Sequence, residues 1–259
     1  MSLTAWYLCG DKEYDILSSS VNVMSEYDWI DDIVILHTGN KKPQYKLSNQ
    51  YTKVHEYYKN FGGRGDDVRA AYELKYVPSP IEGGWRETEC RNHALDIVYG
   101  FNNKWCLQVD CDEIFSYDII KYINEETDVV MFPFWTFIFL NAVKLYPIGG
   151  YGLRNPHFRL WKRDLGLQFV KPGPIPDYPD GAQIHCWPNV KNYNKILLAK
   201  DEPEHIHYHH LTWKKDSNYQ KGNYPPHKVR IVNYKWPDSL LNFFSTEETD
   251  RHYNSNTSI

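Results

Sequence analysis

The sequence has few of the features that mark secreted, zinc-cysteine and nucleic-acid-binding proteins. Its five cysteines are scattered and form no Cys-x-x-Cys pair, which argues against a disulfide framework or a zinc–cysteine site. The net charge is −4, so the chain lacks the strong basic excess typical of proteins held mainly by phosphate neutralisation. A reducing compartment fits this use of cysteine, and we expect a cytoplasmic protein.

No uncharged run is long enough to cross a membrane. The longest, at 129–143, has fifteen residues and contains Pro133 and Asn141. A spanning helix needs about 20 apolar residues, so we expect buried strands here and no transmembrane segment. Charged residues at 11–13 interrupt any apolar stretch of a signal peptide.

The chain does have the composition of a folded domain with alternating strands and helices. Hydrophobic residues make up 42% of its 259 residues, enough for one large core. Hydrophobic patterns predict strands at 3–10, 33–37 and 105–109, and helices within 11–27 and 86–101. This order predicts an α/β fold with a mostly parallel sheet flanked by helices, followed by an extension rich in aromatic residues and histidine.

The stretch "WCLQVDCDE" at 105–113 places three carboxylates where a predicted buried strand ends. In parallel sheets, ligands bind at the carboxyl ends of strands. Asp110 and Asp112 can converge there on one cation, which removes their mutual repulsion, and their oxygen ligands suit Mg²⁺ or Mn²⁺. A solvated acidic turn, or helix capping from Glu113 and Ser116, explains the triplet equally well.

The block "RNHALDIVYGFNNKWCLQVDCDEIF" at 91–115 resembles the family-2-like glycosyltransferases of GT-A fold, in which Arg-Asn-x-Ala-Leu precedes an apolar strand and Asp-x-Asp-Glu. "WIDDIVILHTGN" at 29–40 resembles the second strand of that group. The resemblance covers about residues 3–175. It implies a Rossmann-like fold and a metal-dependent, inverting transfer of sugar from a nucleotide-diphosphate sugar, with a UDP-sugar as the first expectation, to an acceptor hydroxyl.

This resemblance also suggests a division of the chain. The catalytic domain is expected at 1–215, and the extension at 216–259. Within the catalytic domain, the donor-binding part is expected at about 1–115 and the acceptor part at about 116–215.

Site roles follow from the resemblance as well. Asp112 corresponds to the main metal ligand, and Asp110 to a residue that contacts the donor ribose or reaches the metal through water. Asp11 is expected to touch the base or the ribose, with helix capping as its alternative. His37 stands where the family usually has the Asp that pairs with the nucleobase, which leaves the base open. Arg91 is expected to face the donor, an ordinary salt bridge being the alternative.

A histidine cluster, "HIHYHHLTW" at 205–213, alternates in the way that places side chains on one face of a strand. The family has a C-terminal His-Tyr segment that returns to the metal, and His207-Tyr208 matches it. His207 is therefore a predicted ligand of Mn²⁺ or Mg²⁺, with His205 or His209 as the second choice.

The catalytic base is expected in "HFRLWKRDLGLQFVKPGPIPDYPDG" at 157–181. This segment resembles the family's Arg-Leu-Phe-Arg strand and the Phe-x-Gly-x-Val-His-Glu segment after it. Asp177 falls at the Glu position and is the candidate that takes the proton of the acceptor hydroxyl, with Asp180 second. Aspartates at turn positions of a proline-rich loop are the alternative.

Two other functions compete with sugar transfer. A metal-dependent nucleotidyltransferase would need a glycine-rich phosphate loop after the first strand, which "CGDKEYD" does not supply. A non-catalytic carbohydrate-binding protein of the same fold would not need two metal-directed clusters. The acceptor stays open among a glycan, a lipid-linked sugar, a protein and a modified nucleic-acid base. Five tryptophans are candidates either for stacking on a sugar or base or for the core: Trp85, Trp135, Trp161, Trp187 and Trp213.

Overall fold

The computed structural model describes residues 2–10, 13–38, 46–59, 87–144, 157–170, 187–188, 195–200, 202, 204–208 and 229–244. The strands within these ranges are β1 (Leu3–Cys9), β2 (Asp32–His37), β3 (Val54–Tyr58), β4 (Trp105–Gln108), β5 (Glu113–Phe115), β6 (Val129–Phe132), β7 (Phe134–Phe139), β8 (Ala142–Lys144), β9 (His157–Lys162), β10 (Phe169–Val170), β11 (Trp187–Pro188), β12 (Ile196–Leu198), β13 (His205–His207) and β14 (Val229–Ile231). The helices are α1 (Tyr14–Ser25), α2 (Glu87–Tyr99) and α3 (Asp238–Phe243), with 3₁₀ turns at Leu47–Asn49, Tyr117–Tyr122 and Arg163–Leu165.

A seven-stranded sheet in the order β12-β6-β9-β4-β1-β2-β3 organises the described chain. β1 pairs in parallel with β2 and with β4, and β3 adds in parallel to β2. β9 runs antiparallel to β4 and β6. The prediction of a mostly parallel α/β sheet flanked by helices is therefore confirmed, and the carboxyl ends of β1, β2 and β4 lie at one edge.

Each face of this sheet carries its own hydrophobic cluster, because side chains alternate along a strand. Leu17 and Val21 of α1 pack in the cluster that contains Tyr7. Ala94 of α2 packs in the cluster that contains Trp6. The predicted helices thus bury their apolar stripes on opposite faces of β1.

A second sheet has the order β14-β8-β7-β13-β5, and its strand β5 follows β4 in the sequence. Residues 129–143 form β6, β7 and part of β8, as predicted, and the described residues hold no helix long and apolar enough to span a membrane. Trp236, Leu240 and Phe244 pack in one cluster with Ile206 of β13. The described part of the predicted extension therefore shares a core with this sheet, while the boundary at 215/216 stays a prediction.

Two of the five tryptophans proposed for stacking belong to the core. Trp161 is fully buried between β4 and β6, and Trp135 is buried beside β13. Both tryptophans are therefore core residues, which is the second of the two predicted alternatives. Trp85 and Trp213 lie outside the described residues, as does the side chain of Trp187.

Candidate functional site

Three strand ends come together at one edge of the seven-stranded sheet. Cys9 at the end of β1 pairs with His37 at the end of β2, and the Thr38 amide donates to the Cys9 carbonyl at 2.9 Å. On the other side of β1, the Val109 amide donates to the Trp6 carbonyl at 3.0 Å. The chain after β4 therefore leaves the sheet beside the end of β1, where parallel sheets bind ligands.

The acidic turn, defined as residues 110–113, closes on itself directly after β4. The Glu113 amide donates to the Asp110 carbonyl at 3.0 Å, and the Asp110 amide donates to Glu113 Oε2 at 3.1 Å. Glu113 is therefore the first residue of β5, and its side chain closes the turn. It does not begin a helix.

Arg159 of β9 neutralises the acidic turn from inside the protein. Its Nη2 lies 2.7 Å from Asp110 Oδ2 and 2.7 Å from Glu113 Oε1, while the Arg159 and Glu113 side chains are 6% and 3% exposed. Arg91 Nη1 lies 3.6 Å from Asp110 Oδ1, and the Gln108 amide oxygen, turned toward them, accepts from both arginines. Burial raises the pKa of Asp110, but the two guanidinium groups outweigh it and hold that pKa well below its usual range.

His205 contacts Glu113 of the acidic turn and Phe115 of β5. Its Nε2 lies 3.0 Å from Glu113 Oε2, and its ring stacks on Phe115 with centroids 4.5 Å apart. Burial lowers the pKa of His205, although Glu113 opposes the shift. His205 is thus fully buried beside Glu113, and His207 as metal ligand, with His205 or His209 as the second choice, stays a prediction.

Strand β13 returns the histidine segment to the acidic turn. The β13–β5 register places His207 opposite Glu113, and the Tyr208 amide donates to the Asp112 carbonyl at 3.0 Å. The fold thus brings the backbone of His207 beside partly exposed Asp112, 95 positions away in sequence. The side chain of His207 and all of His209 lie outside what the structure describes.

Tyr208 anchors this return. Its fully buried hydroxyl lies 3.1 Å from the Cys111 carbonyl, 3.2 Å from the Ile16 carbonyl and 3.1 Å from Ser19 Oγ. One phenol therefore joins the acidic turn, α1 and the chain after β13.

We expect Tyr208→Phe to lower the free energy of unfolding by about 1–3 kcal/mol, because buried polar groups lose a partner. Urea denaturation measures the effect. Tyr117→Phe is the matched control, since the Tyr117 hydroxyl is exposed where it binds Asp28, and no measurable change is expected. Equal stability of both variants would contradict the anchoring role.

His37 lies at the predicted edge of the sheet, but its side chain forms a buried ion pair with Glu56. Its Nε2 lies 2.8 Å from Glu56 Oε1, and its ring stacks on Tyr14 at 5.8 Å. Glu56 also accepts from the amide and the hydroxyl of Ser48. Burial lowers the pKa of His37, but the bonds to Cys9 and Glu56 outweigh it and raise that pKa to about 9.

A pH dependence of stability follows from this pair. The folded pKa of His37 lies above its ordinary value of 6.5, so its stabilisation is complete below about pH 6.5 and is lost as the pH rises through about 9. Over this pH window, the free energy of unfolding of wild type, measured by thermal denaturation, should fall by up to about 3 kcal/mol more than that of His37→Gln. His55→Gln, which removes a more exposed histidine paired with Asp32, should keep the wild-type slope. Identical slopes in wild type and His37→Gln would exclude the effect.

A cluster of two thiols and a carboxylate brings together the acidic turn, the end of β1 and the residue before α1. The donor atoms of Cys9, Glu13 and Cys111 all lie within 4.8 Å of one another. Glu13 precedes α1, and its Oε2 accepts from the Gly10 amide at 2.8 Å. Burial raises the pKa of Glu13 to about 7, although the Gly10 amide opposes the shift. We call these three residues the thiol–carboxylate cluster.

Arg159 and Glu13 are among the groups in this region that were not predicted as site residues. Arg159 lies in the strand "HFRLWK", where a buried arginine requires a carboxylate partner, but its burial follows only from the position of β9 in the sheet. Glu13 had no sequence signal, since its partners come from two other elements. Asp11, Asp177 and Asp180 fall outside the described residues, and their roles stay predictions.

Comparisons with known proteins find similarity only among solved structures. No protein-family model matches the sequence, and no curated protein matches it significantly. Among solved structures, S. aureus TarS 1-349 in complex with UDP-GlcNAc is similar over 86% of this chain and 62% of that chain, at TM-score 0.47 and 13% identity.

Two further solved structures are also similar at low sequence identity. S. aureus TarS 1-349 is similar over 80% of this chain and 60% of that chain, at TM-score 0.46 and 12% identity. For 4-diphosphocytidyl-2C-methyl-D-erythritol synthase the shares are 63% and 76%, at TM-score 0.38 and 12% identity. The chain thus spans about 60% of the TarS structure, and overlaps at this level assign neither family nor activity.

Proposed function

We propose that the chain is a metal-dependent glycosyltransferase that moves a sugar, with inversion, from a nucleotide-diphosphate sugar such as a UDP-sugar to an acceptor hydroxyl. The acidic turn is the observation that carries this proposal. Buried Arg159 and Glu113 lock it at the ligand-binding edge, beside the end of β1. A solvated acidic turn would not need a buried counterion. The buried ion pair between Arg159 and Glu113 therefore favours a site whose carboxylates must keep their positions.

The residues of the turn fit a hard divalent cation unequally. Asp110 already binds Arg159 and lies near Arg91, which suits contact with the donor ribose or with the metal through water. Asp112 is partly exposed, and its backbone is tied to Tyr208. Asp112 would therefore hold Mn²⁺ or Mg²⁺, with His207 as the proposed second ligand. When bound, such an ion neutralises the charge of a departing nucleoside diphosphate.

The protein's own side chains would order the donor around this point. Arg91 is 11% exposed, and its guanidinium lies 5.4 Å from the centre of the Phe169 ring. Arg91 is thus a cation held in one position at the same edge of the seven-stranded sheet, and it is suited to binding an anionic donor. Asn92, next in sequence, fixes Phe169 by accepting from its amide at 2.7 Å and donating to its carbonyl at 3.0 Å.

Asp177 remains the proposed base that takes the acceptor proton, with Asp180 as the alternative. Asp11 remains a proposed contact to the base or ribose. His37, bonded to Glu56, would border the base from β2.

Release of nucleoside diphosphate from a panel of nucleotide sugars tests the proposal. We expect Mn²⁺-dependent release from at least one UDP-sugar, abolished by EDTA and restored by added Mn²⁺. Calorimetry with the same panel reports donor binding when no acceptor is present. A folded chain that binds none of these donors in the presence of Mn²⁺ or Mg²⁺ would falsify the proposed function.

A further inference from the structure

We propose that the thiol–carboxylate cluster of Cys9, Glu13 and Cys111 is a zinc site, separate from the cation site at Asp112. Its three donor atoms lie within 4.8 Å of one another. Two cysteines and one carboxylate are donor types that zinc accepts, with a fourth position left for water. The inference does not depend on sugar transfer.

The spacing of the donors suits one small ion. Zinc binds sulfur at about 2.3 Å and carboxylate oxygen at about 2.0–2.2 Å, so tetrahedral donors lie roughly 3.4–3.8 Å apart. Cys111 Sγ lies 3.9 Å from Glu13 Oε2. Binding would require the donors to move closer, and the thiols would give up their hydrogen bonds to the carbonyls of Gly10 and Leu8.

The position is created by the fold, with two buried cysteines and a partly exposed carboxylate. Cys9 ends β1, Glu13 precedes α1 and Cys111 lies in the acidic turn after β4. Cys9 and Cys111 are 1% and 4% exposed and are thiols rather than a disulfide. The sequence argued against a zinc–cysteine site because no close cysteine pair occurs, yet parallel β1 and β4 carry Cys9 and Cys111 to the same edge.

Neighbouring groups would orient the ligands. The Gly10 amide donates to Glu13 Oε2 at 2.8 Å, and Cys9 lies opposite His37 in the β1–β2 register. Hydrogen bonds of this kind hold the ligands of zinc sites in place. Zinc would displace one proton from each thiol and any proton on the Glu13 carboxyl, and the two thiolates and the carboxylate would together carry one negative charge more than the ion neutralises.

The two cation sites differ in chemistry. Thiolates select a soft ion such as zinc, whereas the carboxylates at Asp110 and Asp112 suit Mg²⁺ or Mn²⁺. Cys111 stands between these two aspartates in the sequence. A zinc ion on Cys111 would therefore tie the acidic turn to the end of β1 and keep the neighbouring carboxylates in position.

Metal titration of the reduced, metal-stripped chain tests the site. We expect one equivalent of tightly bound Zn²⁺, and Co²⁺ in its place should show the charge-transfer absorption of thiolate–cobalt bonds. Cys9→Ala and Cys111→Ala should lose this absorption and weaken zinc binding by more than about 100-fold, since changes around the ligands alone cost about 10–100-fold. Cys106→Ala is the matched control, because Cys106 is equally buried but packs in the cluster on the α2 face.

Two further variants separate the possible outcomes. Asp112→Asn should keep the thiolate–cobalt absorption, even if it abolishes sugar transfer, so the two proposals fail independently. Glu13→Gln keeps both thiols and should weaken zinc binding at least about 10-fold while circular dichroism stays that of wild type. A folded wild-type chain without thiolate–cobalt absorption overturns the site, and so does absorption that survives the loss of either Cys9 or Cys111.

Discussion

Arg159→Met is expected to lower the free energy of unfolding by about 3–5 kcal/mol, the cost of removing one partner from a buried ion pair. The substitution leaves Glu113, which is 3% exposed, without its guanidinium partner, and it removes the main counterion of Asp110. Urea denaturation at neutral pH measures the loss.

Two further variants show whether the unpaired charge is the cause. Arg159→Met combined with Glu113→Gln should recover part of the lost stability, because the buried carboxylate is then neutral. Lys104→Met likewise removes one positive charge, at a surface pair with Glu125, and its denaturation midpoint should stay near that of wild type. If Arg159→Met matches Lys104→Met, Arg159 does not hold the acidic turn.

Asp112→Asn is expected to reduce sugar-transfer turnover in Mn²⁺ by at least about 100-fold while the fold stays intact. The substitution removes the proposed ligand charge, and changes around metal ligands alone cost about 10–100-fold. The Asp112 backbone bond to Tyr208 is unaffected, and circular dichroism checks that the fold is that of wild type.

The control for this experiment is Asp118→Asn, which removes an exposed carboxylate from the 3₁₀ turn that follows β5. We expect it to keep wild-type turnover and the same Mn²⁺ dependence. Unchanged turnover in Asp112→Asn would remove Asp112 from the metal site, even if the chain proved to be a transferase.

The local elements that build the site were predictable because their signals are local. The run "LTAWYLC" is almost wholly apolar, as a strand buried on both faces must be, and it forms β1. The predicted helix at 86–101 is α2 at Glu87–Tyr99, with Ala94, Leu95 and Val98 buried as its stripe requires. Asp110 and Asp112 were placed at a strand end by the same pattern.

The sequence by itself thus determined the order of β1, α1, β2, α2 and β4, the mostly parallel sheet and the position of "DCDE" after β4, but it left β3 unassigned. Only the tertiary structure decided which side chains meet there. Arg159 reaches Glu113 across 46 positions, and Glu13 reaches Cys111 across 98. Such contacts depend on strand order and register, which the pattern of nearby residues does not specify. For that reason a pair of distant cysteines could be recognised as a potential metal site only after β1 and β4 were known to be neighbours.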